Sequence, residues 1–290
     1  MSGRTLFVFG YGFSAAALGR RLGAQGWRVS GTSRSAATRA SMAQAGAVPV
    51  DPADRKALSA ALAEAQAVLI AAPPTAEGCP GLAAIVPALA RARAFPDWIG
   101  YLSTTGVYGD HGGRWVFEGT PLCARSVEGA RRVAAERDWL EVGRGMGLTV
   151  TVHRLPGIYG PGRSALDRVR EGTAKRYDKP GQVFSRIHVD DLAAALHASI
   201  ARPRPGGVYN LCDDEPAPAE RVTAHAAALL GVPPPPLQPF DPAALSGPAQ
   251  RFYGESKRVS NARAKSELGW RPAHPTWREG LAAVLAAEGG

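Results

Sequence analysis

Apolar residues recur through the first half of the chain in short runs, each followed by a longer Ala-rich stretch with apolar positions at helical spacing. "TLFVFG" precedes "SAAALGRRLGAQG", "WRVSGTS" precedes "SAATRASMAQAG", "AVPV" precedes "DRKALSAALAEAQ", and "AVLIAAP" precedes "LAAIVPALARARA". Short continuous apolar runs read as strands covered on both faces, and their alternation with helices predicts βα units on a parallel sheet. The rhythm continues through "WIGYLSTTG", the helix "SVEGARRVAAERDWLEVGRG" and the strand "LTVTVHRL". Beyond Pro161 it loosens into a short helix near 163–171, a polar loop, the helix "DLAAALHASIA" and a late strand, "GGVYNLC", at about 206–212. The run "PPPP" at 233–236 cannot be helical and separates a helix ending near Gly231 from a Pro-rich connector. Two helices, "NARAKSELGW" and "WREGLAAVLAAE", close the pattern, and no repeat of fixed period runs through it. The expected class is α/β. A doubly wound parallel sheet occupies 1–160, and a mixed region over 161–290 supplies the late strand and a small C-terminal α/β lobe.

Composition narrows the function. With 290 residues, 45% of them hydrophobic, the chain can bury a large core. No apolar run approaches the ~20 residues that cross a bilayer, so no membrane partner is expected. The opening "MSGRTLFVFG" enters a strand pattern rather than a signal-peptide segment, which predicts a cytoplasmic protein. Cys79, Cys123 and Cys212 form no C-x-x-C pair and are expected as buried thiols, not as a disulfide framework or zinc site. The net charge of +9 comes from scattered Arg residues without a like-charge block, which argues against nucleic acid and suits a phosphorylated small molecule. A G-x-S-x-G elbow and an H-E-x-x-H spacing are both missing, so hydrolase chemistry and a metal site are not expected.

Directly after the first strand stands "GYGFSA", with Gly10, Gly12 and Ala15 in the pattern G-x-G-x-x-A around Phe13 and Ser14. Gly10 permits the tight turn, Gly12 lets a pyrophosphate approach the backbone, and Ala15 lets helix and strand pack closely. The helix N-terminus then offers free N–H groups and a positive dipole end to the phosphates. This makes the sheet Rossmann-type. An NAD site places Asp or Glu at the end of the second strand, but this chain has "VSGTSRS" there. Ser33 and Arg34 suit a 2′-phosphate, so NADP is expected ahead of NAD. Asp51 after the third strand and Ala71, Ala72 and Pro73 after the fourth are expected along the same crevice.

Three further stretches, "YLSTTGVYGD" at 101–110, "HRLPGIYGPG" at 153–162 and "RIHVDDLA" at 186–193, are joined by a terminal "SELGWRP". In order and spacing these motifs resemble the extended short-chain dehydrogenase/reductases of the NAD(P)-dependent epimerase/dehydratase group, over essentially the whole chain. The resemblance implies cofactor on the Rossmann sheet and substrate in the C-terminal lobe, with a small carbonyl or nucleotide-linked sugar as substrate. It places the substrate-bonding hydroxyl on Thr104 and runs the backbone of Leu155, Pro156, Gly157 and Ile158 beside the nicotinamide. Arg154 and Tyr159 receive structural roles. Asp190 and Asp191 are expected as a helix cap, and His188 as a buried hydrogen-bonding residue. Arg163, Arg168, Arg186 and Arg251 lie in or near the implied substrate lobe, and pairing through the helices that flank the sheet would make a homodimer.

The chain departs from that group at its acid/base pair. The group's Tyr-x-x-x-Lys lies on the helix after the fifth strand, where residues four apart share a face and the Lys lowers the phenol pKa. Aligning "EGARRVAAE" places Glu128 at the Tyr position and Arg132 at the Lys position, and no Lys occurs between Lys56 and Lys175. A carboxyl with a reference pKa of about 4.3 beside an Arg serves as a base but is a poor proton donor. Tyr108 is the nearest alternative phenol. Two functions stay open: an NADP-dependent oxidoreductase, epimerase or dehydratase using Thr104, Tyr108, Glu128 and Arg132, or a catalytically silent NADP(H)-binding sensor or regulator.

A second Tyr-x-x-x-Lys occurs in "YGESK" at 253–257. The following helix is predicted to begin at Ser260 or Asn261 and end at Gly269, so Tyr253 and Lys257 precede it. Outside a helix a spacing of four does not bring side chains together, and both are expected as substrate-lobe or packing residues.

Overall fold

The computed structural model describes residues 3–288, so the outermost two residues at each end of the expected spans lie outside the described residues. Strands and helices alternate as β1 (Thr5–Phe9), α1 (Phe13–Gly23), β2 (Arg28–Thr32), α2 (Ala36–Gln44), β3 (Val48–Val50), α3 (Arg55–Ala63), β4 (Ala67–Ile70), α4 (Pro80–Ala92) and β5 (Trp98–Thr104). They continue with β6 (Trp115–Val116), α5 (Val127–Met146), β7 (Val150–Leu155), β8 (Gly157–Tyr159), α6 (Ala165–Arg170), β9 (Arg176–Asp178), β10 (Arg186–His188) and α7 (Val189–Ala201). The remainder comprises β11 (Val208–Asn210), α8 (Ala219–Leu229), β12 (Leu237–Pro239), α9 (Gly247–Tyr253), β13 (Arg258–Val259), α10 (Ala262–Leu268) and α11 (Trp277–Glu288).

Seven strands form one parallel sheet in the order β11-β7-β5-β4-β1-β2-β3. The order reverses direction between β1 and β4, which opens a crevice beyond the carboxyl ends of those strands. Alternate residues of β1 face opposite layers, as a two-residue period requires. Leu6 and Val8 pack with Leu18 and Leu22 of α1 and Leu192 and Leu196 of α7. Phe7 packs the other way, with Leu58, Leu62, Ile85, Leu89 and Trp139. Each such fully buried side chain stabilises the fold by ~1.5–3 kcal/mol. The late strand β11 joins the sheet beside β7, with Val208 opposite Val152.

A separate apolar cluster gathers Tyr159, Leu166, Val222, Trp277 and Leu281, the last four from α6, α8 and α11. Short parallel pairs connect distant segments: β8 with β10, β9 with β12, and β6 with β13. Neither β12 nor α9 stands out in the sequence pattern, because each is only a few residues long and β12 forms only by pairing with β9.

Two sequence expectations are corrected. The cap of α7 is His188, whose Nδ1 accepts from the Asp190 N–H, and not the Asp190–Asp191 pair. Asp191 instead turns into the fold, where its carboxylate accepts from the N–H groups of Ala273 and His274 and from His274 Nδ1. His188, Asp191 and His274 have ligand-type atoms within 4.8 Å of one another. A hydrogen bond joins Asp191 to His274, whereas His188 only packs its ring 4.3 Å from that of His274 and leaves its Nε2 buried without a partner among the described residues. Cys79 and Cys212 are buried as expected, but Cys123 is exposed, since it lies in the loop leading into α5.

Beneath the carboxyl end of β5 lies a buried ion pair. Arg154 on β7 and Glu136 on α5 meet at 2.8 Å with side chains only 6% and 3% exposed. Ser103 donates to Glu136, and Arg154 also donates to the Tyr108 hydroxyl at 2.9 Å and the Glu118 carbonyl at 3.0 Å. Removing one partner strands a charge away from water, so Glu136→Ala is expected to lower unfolding free energy by ~3–5 kcal/mol in a denaturant titration. Glu64→Ala, which breaks the exposed pair with Arg28, is expected to cost below ~1 kcal/mol in the same assay.

Candidate active site

The glycine turn after β1 is built for close approach. Gly10 has φ +93°, and a Cβ there would meet Ala72 N at 2.6 Å, so β1 and the segment after β4 touch through bare backbone. Ala71 and Ala72 hold that position by donating to the Phe9 carbonyl at 2.9 and 3.1 Å. Thr32 Oγ1 accepts from Gly10 N at 2.9 Å and pins the turn to β2. Gly12 borders open space, since a Cβ there would meet nothing within 4 Å, and it directly precedes the first turn of α1. Phe13 and Ser14 are half-buried and Ala15 is buried against the sheet. The N–H groups of a helix's first turn have no partner within the helix, and a pyrophosphate is the kind of group such a turn accepts.

At the end of β2, Ser33 is half-buried and Arg34 exposed. Sequence reasoning missed a second arginine. Arg39, one turn into α2, donates to the Ser33 carbonyl at 2.7 Å and stands 3.6 Å from Asp51. Asp51 also accepts from Ala53 N at 2.9 Å. Arg39 reaches this edge only because α2 folds back on β2 and β3, and nothing local in the sequence marks it.

The opposite side of the crevice begins at Thr104, where β5 ends. Its Oγ1 accepts from Gly106 N at 3.1 Å, which starts a 3₁₀ turn over Thr105–Tyr108 and leaves the hydroxyl hydrogen free to donate. The first turn of α5 packs on this segment through Gly129, where a Cβ would lie 3.1 Å from the Gly106 carbonyl. Glu128 is consequently held beside the Thr104 turn, with its side chain 64% exposed and its Oε1 3.9 Å from Arg251 of α9. An exposed pair at that distance is a weak contact. Arg132, one turn further along α5, does not point outward. Its guanidinium donates to the Leu102 carbonyl and lies 5.8 Å from the Tyr101 ring centroid.

Tyr108 is corrected as an acid/base candidate. The side chain is fully buried, its hydroxyl donates to Asn210 Oδ1 at 2.7 Å and accepts from Arg154, and burial raises its pKa. Engaged on both sides, the phenol has nothing to offer a substrate. Leu155 ends β7 in the interior, while Pro156, Gly157 and Ile158 lead out of it toward β10. Pro73 is exposed at the outer edge of the β4 segment.

The segment before β13 forms the far wall. Asp110 Oδ1 accepts from Ser256 N at 2.8 Å, and the Ser256 carbonyl accepts from the N–H groups of His111 and Gly113. Tyr253 ends α9 and sits among aromatic rings, 5.5 Å from Tyr177, 5.7 Å from Phe184 and 5.2 Å from Phe252. Lys257 pairs with Glu255 at 2.5 Å and is buried. Tyr253 and Lys257 are thus engaged with different partners. Of the implied lobe arginines, Arg186 is enclosed, which brings its pKa down to about 10, and donates to the Phe184 and Ala217 carbonyls. Arg163 lies over Phe13 at 5.5 Å, bridging lobe and glycine turn.

A parallel sheet with a glycine turn at its switch point defines a Rossmann-type nucleotide-binding protein. The chain belongs to the NAD dependent epimerase/dehydratase family, whose model matches residues 6–212. It is similar to a 3-diazoavenalumate denitrifying reductase of a Streptomyces species, 33% identical over 171 residues, which is 56% of this chain and 53% of that protein. The chain thus spans about half the length of that relative. Protein YeeZ of Escherichia coli K12 is 30% identical over 284 residues, covering 92% of this chain and 95% of YeeZ. A solved structure of a functionally unknown conserved protein from Silicibacter pomeroyi superposes with a TM-score of 0.91 at 48% identity, covering 98% of this chain and 99% of that one. No helix among the described residues is long and apolar enough to cross a membrane.

The geometry assigns Tyr108 to the scaffold. Tyr108→Phe is expected to lower stability by ~1–3 kcal/mol, through the Asn210 and Arg154 bonds it removes, and to leave nucleotide affinity unchanged when both are measured on one preparation.

Proposed function

We propose that the protein is an NADP(H)-dependent oxidoreductase that works as a reductase on a small molecule held between Thr104, Glu128 and the C-terminal lobe. The observation that carries this reading is the edge of β2, where Arg39 donates to the carbonyl of Ser33, exposed Arg34 follows it in the chain, and the position of an NAD site's ribose-binding acid is taken by Ser33. Two guanidinium groups suit a 2′-phosphate, which carries charge and offers several acceptor oxygens. Gly10, Gly12, Phe13, Ser14 and Ala15 would hold the pyrophosphate, and Ala71, Ala72, Pro73 and Asp51 would line the adenosine side. Leu155, Pro156, Gly157 and Ile158 would line the nicotinamide side. When bound, the reduced nucleotide supplies a hydride. The protein's part is to border the acceptor with the end of β5 at Thr104 and to place the Glu128 carboxylate beside it.

The reductase activity of the Streptomyces relative supports the direction of the reaction. A small carbonyl or a nucleotide-linked sugar is within reach of the family's chemistry, while the aromatic rings around Tyr253 favour a compact, partly apolar acceptor. A second reading, a silent NADP(H) sensor, is favoured by one feature: Arg132 and Tyr108 are both committed to internal partners. The two readings part on turnover, since only the reductase oxidises NADPH when an acceptor is supplied.

Arg39→Ala and Arg34→Ala are each expected to weaken NADPH binding by about tenfold and leave NADH binding within about twofold, measured by fluorescence titration. Equal losses for both nucleotides would remove the basis for NADP preference.

A further inference from the structure

Glu128 and its surroundings lack something that carbonyl reduction needs. When hydride adds to a neutral C=O carbon, the oxygen becomes an alkoxide and must take a proton, which is the task of a positioned acid. Around Thr104 the nearby phenols are committed: Tyr108 is bonded on both sides, and Tyr101 is fully buried with its pKa pushed up by burial. Arg132 is turned to the Leu102 carbonyl, and Thr104 is an alcohol with no acidic proton to give at neutral pH. What the site does present is a carboxylate, exposed and only loosely engaged with Arg251. The arm that carries Arg251 also carries Phe252, 49% exposed and stacked on Phe184 with ring centroids 4.0 Å apart. A carboxylate and an aromatic face are the two groups that attract a cation.

We infer that the hydride acceptor of this protein is a cation, an iminium carbon–nitrogen double bond, held with its charge on Glu128. This rests on the NADP(H)-dependent reading above. Hydride from the reduced nucleotide forms a C–H bond at the iminium carbon. The C=N π pair moves onto nitrogen, which becomes a neutral amine, while the nucleotide loses two electrons and one hydrogen. No proton is taken up or released in this step, so a site without an acid performs it. Glu128 offsets the charge of the acceptor, which takes the place that Arg251 holds in its absence.

An N-methyl-dihydroisoquinolinium salt is a direct probe, because it is a cation at every pH and needs no proton, and tetralone is a neutral carbonyl of the same shape. With intact protein and NADPH, the iminium is expected to be reduced at least about tenfold faster than tetralone, without a solvent deuterium isotope effect. A readout independent of turnover is binding of N,N-dimethyl-tetrahydroisoquinolinium, which cannot be reduced, followed by calorimetry on the NADP-bound protein. Glu128→Gln is expected to weaken that binding by about tenfold while NADPH affinity stays unchanged. If NADPH binds and tetralone is reduced as fast as the iminium, or Glu128→Gln leaves cation binding intact, the inference is overturned and the NADP(H)-dependent reading stands. If NADPH does not bind, both fall.

Discussion

The Arg154–Glu136 pair is the constraint on which the site depends. It lies in the interior where β5, β7, α5 and β11 converge, and its hydrogen bonds reach Ser103, Tyr108 and the Glu118 carbonyl. Two charges out of water persist only when their remaining donors and acceptors are satisfied, and here they are. Because Ser103 is adjacent to Thr104, and α5 carries both Glu136 and Glu128, the same pair fixes the end of β5 and the register of α5 against it. The crevice wall at the end of β5 is consequently braced from behind, with exposed Glu128 rising from a buried foundation.

That arrangement explains a division of labour. One half of the crevice presents bare backbone at Gly10 and Gly12, the start of α1, and Arg39 bonded to the Ser33 carbonyl at the end of β2, the features on which the proposed nucleotide site rests. The other half turns two of its candidate groups inward. Tyr108 and Arg132, which could have carried charge or a proton to the acceptor, serve the interior instead. The carboxylate that remains, Glu128, is exposed and only loosely engaged with Arg251. Under the proposal it acts by attraction, which makes the charge of the acceptor the deciding property.

Much of this was legible in the sequence. Apolar runs such as "VLI" and "FVF" are buried on both sheet faces, so their pattern predicts a parallel strand directly, and the glycine turn is a local backbone requirement. Glu128 and Arg132 could be located from one short motif at the start of a helix. What was not legible depends on residues far apart in the chain. Tyr108 reads as a free phenol until Asn210, 102 residues later, accepts its hydrogen bond. Arg39 reads as a solvated helix residue until α2 turns it toward Ser33. Asp190 and Asp191 read as a cap of α7 until Asp191 is seen holding the chain at Ala273 and His274, more than eighty residues later. Short elements such as β12 and α9 carry too few residues for a periodic signal, and tertiary contacts create them.

On this reading the protein keeps hydride chemistry and has given up proton donation at the position of Glu128. The double substitution Glu128→Tyr with Arg132→Lys puts a proton donor back, and NADPH binding measured beside turnover confirms an intact nucleotide site. Reduction of a neutral carbonyl such as tetralone is predicted to rise well above that of the unsubstituted protein. Equal or faster carbonyl reduction by the unsubstituted protein, with both forms binding NADPH, would contradict it.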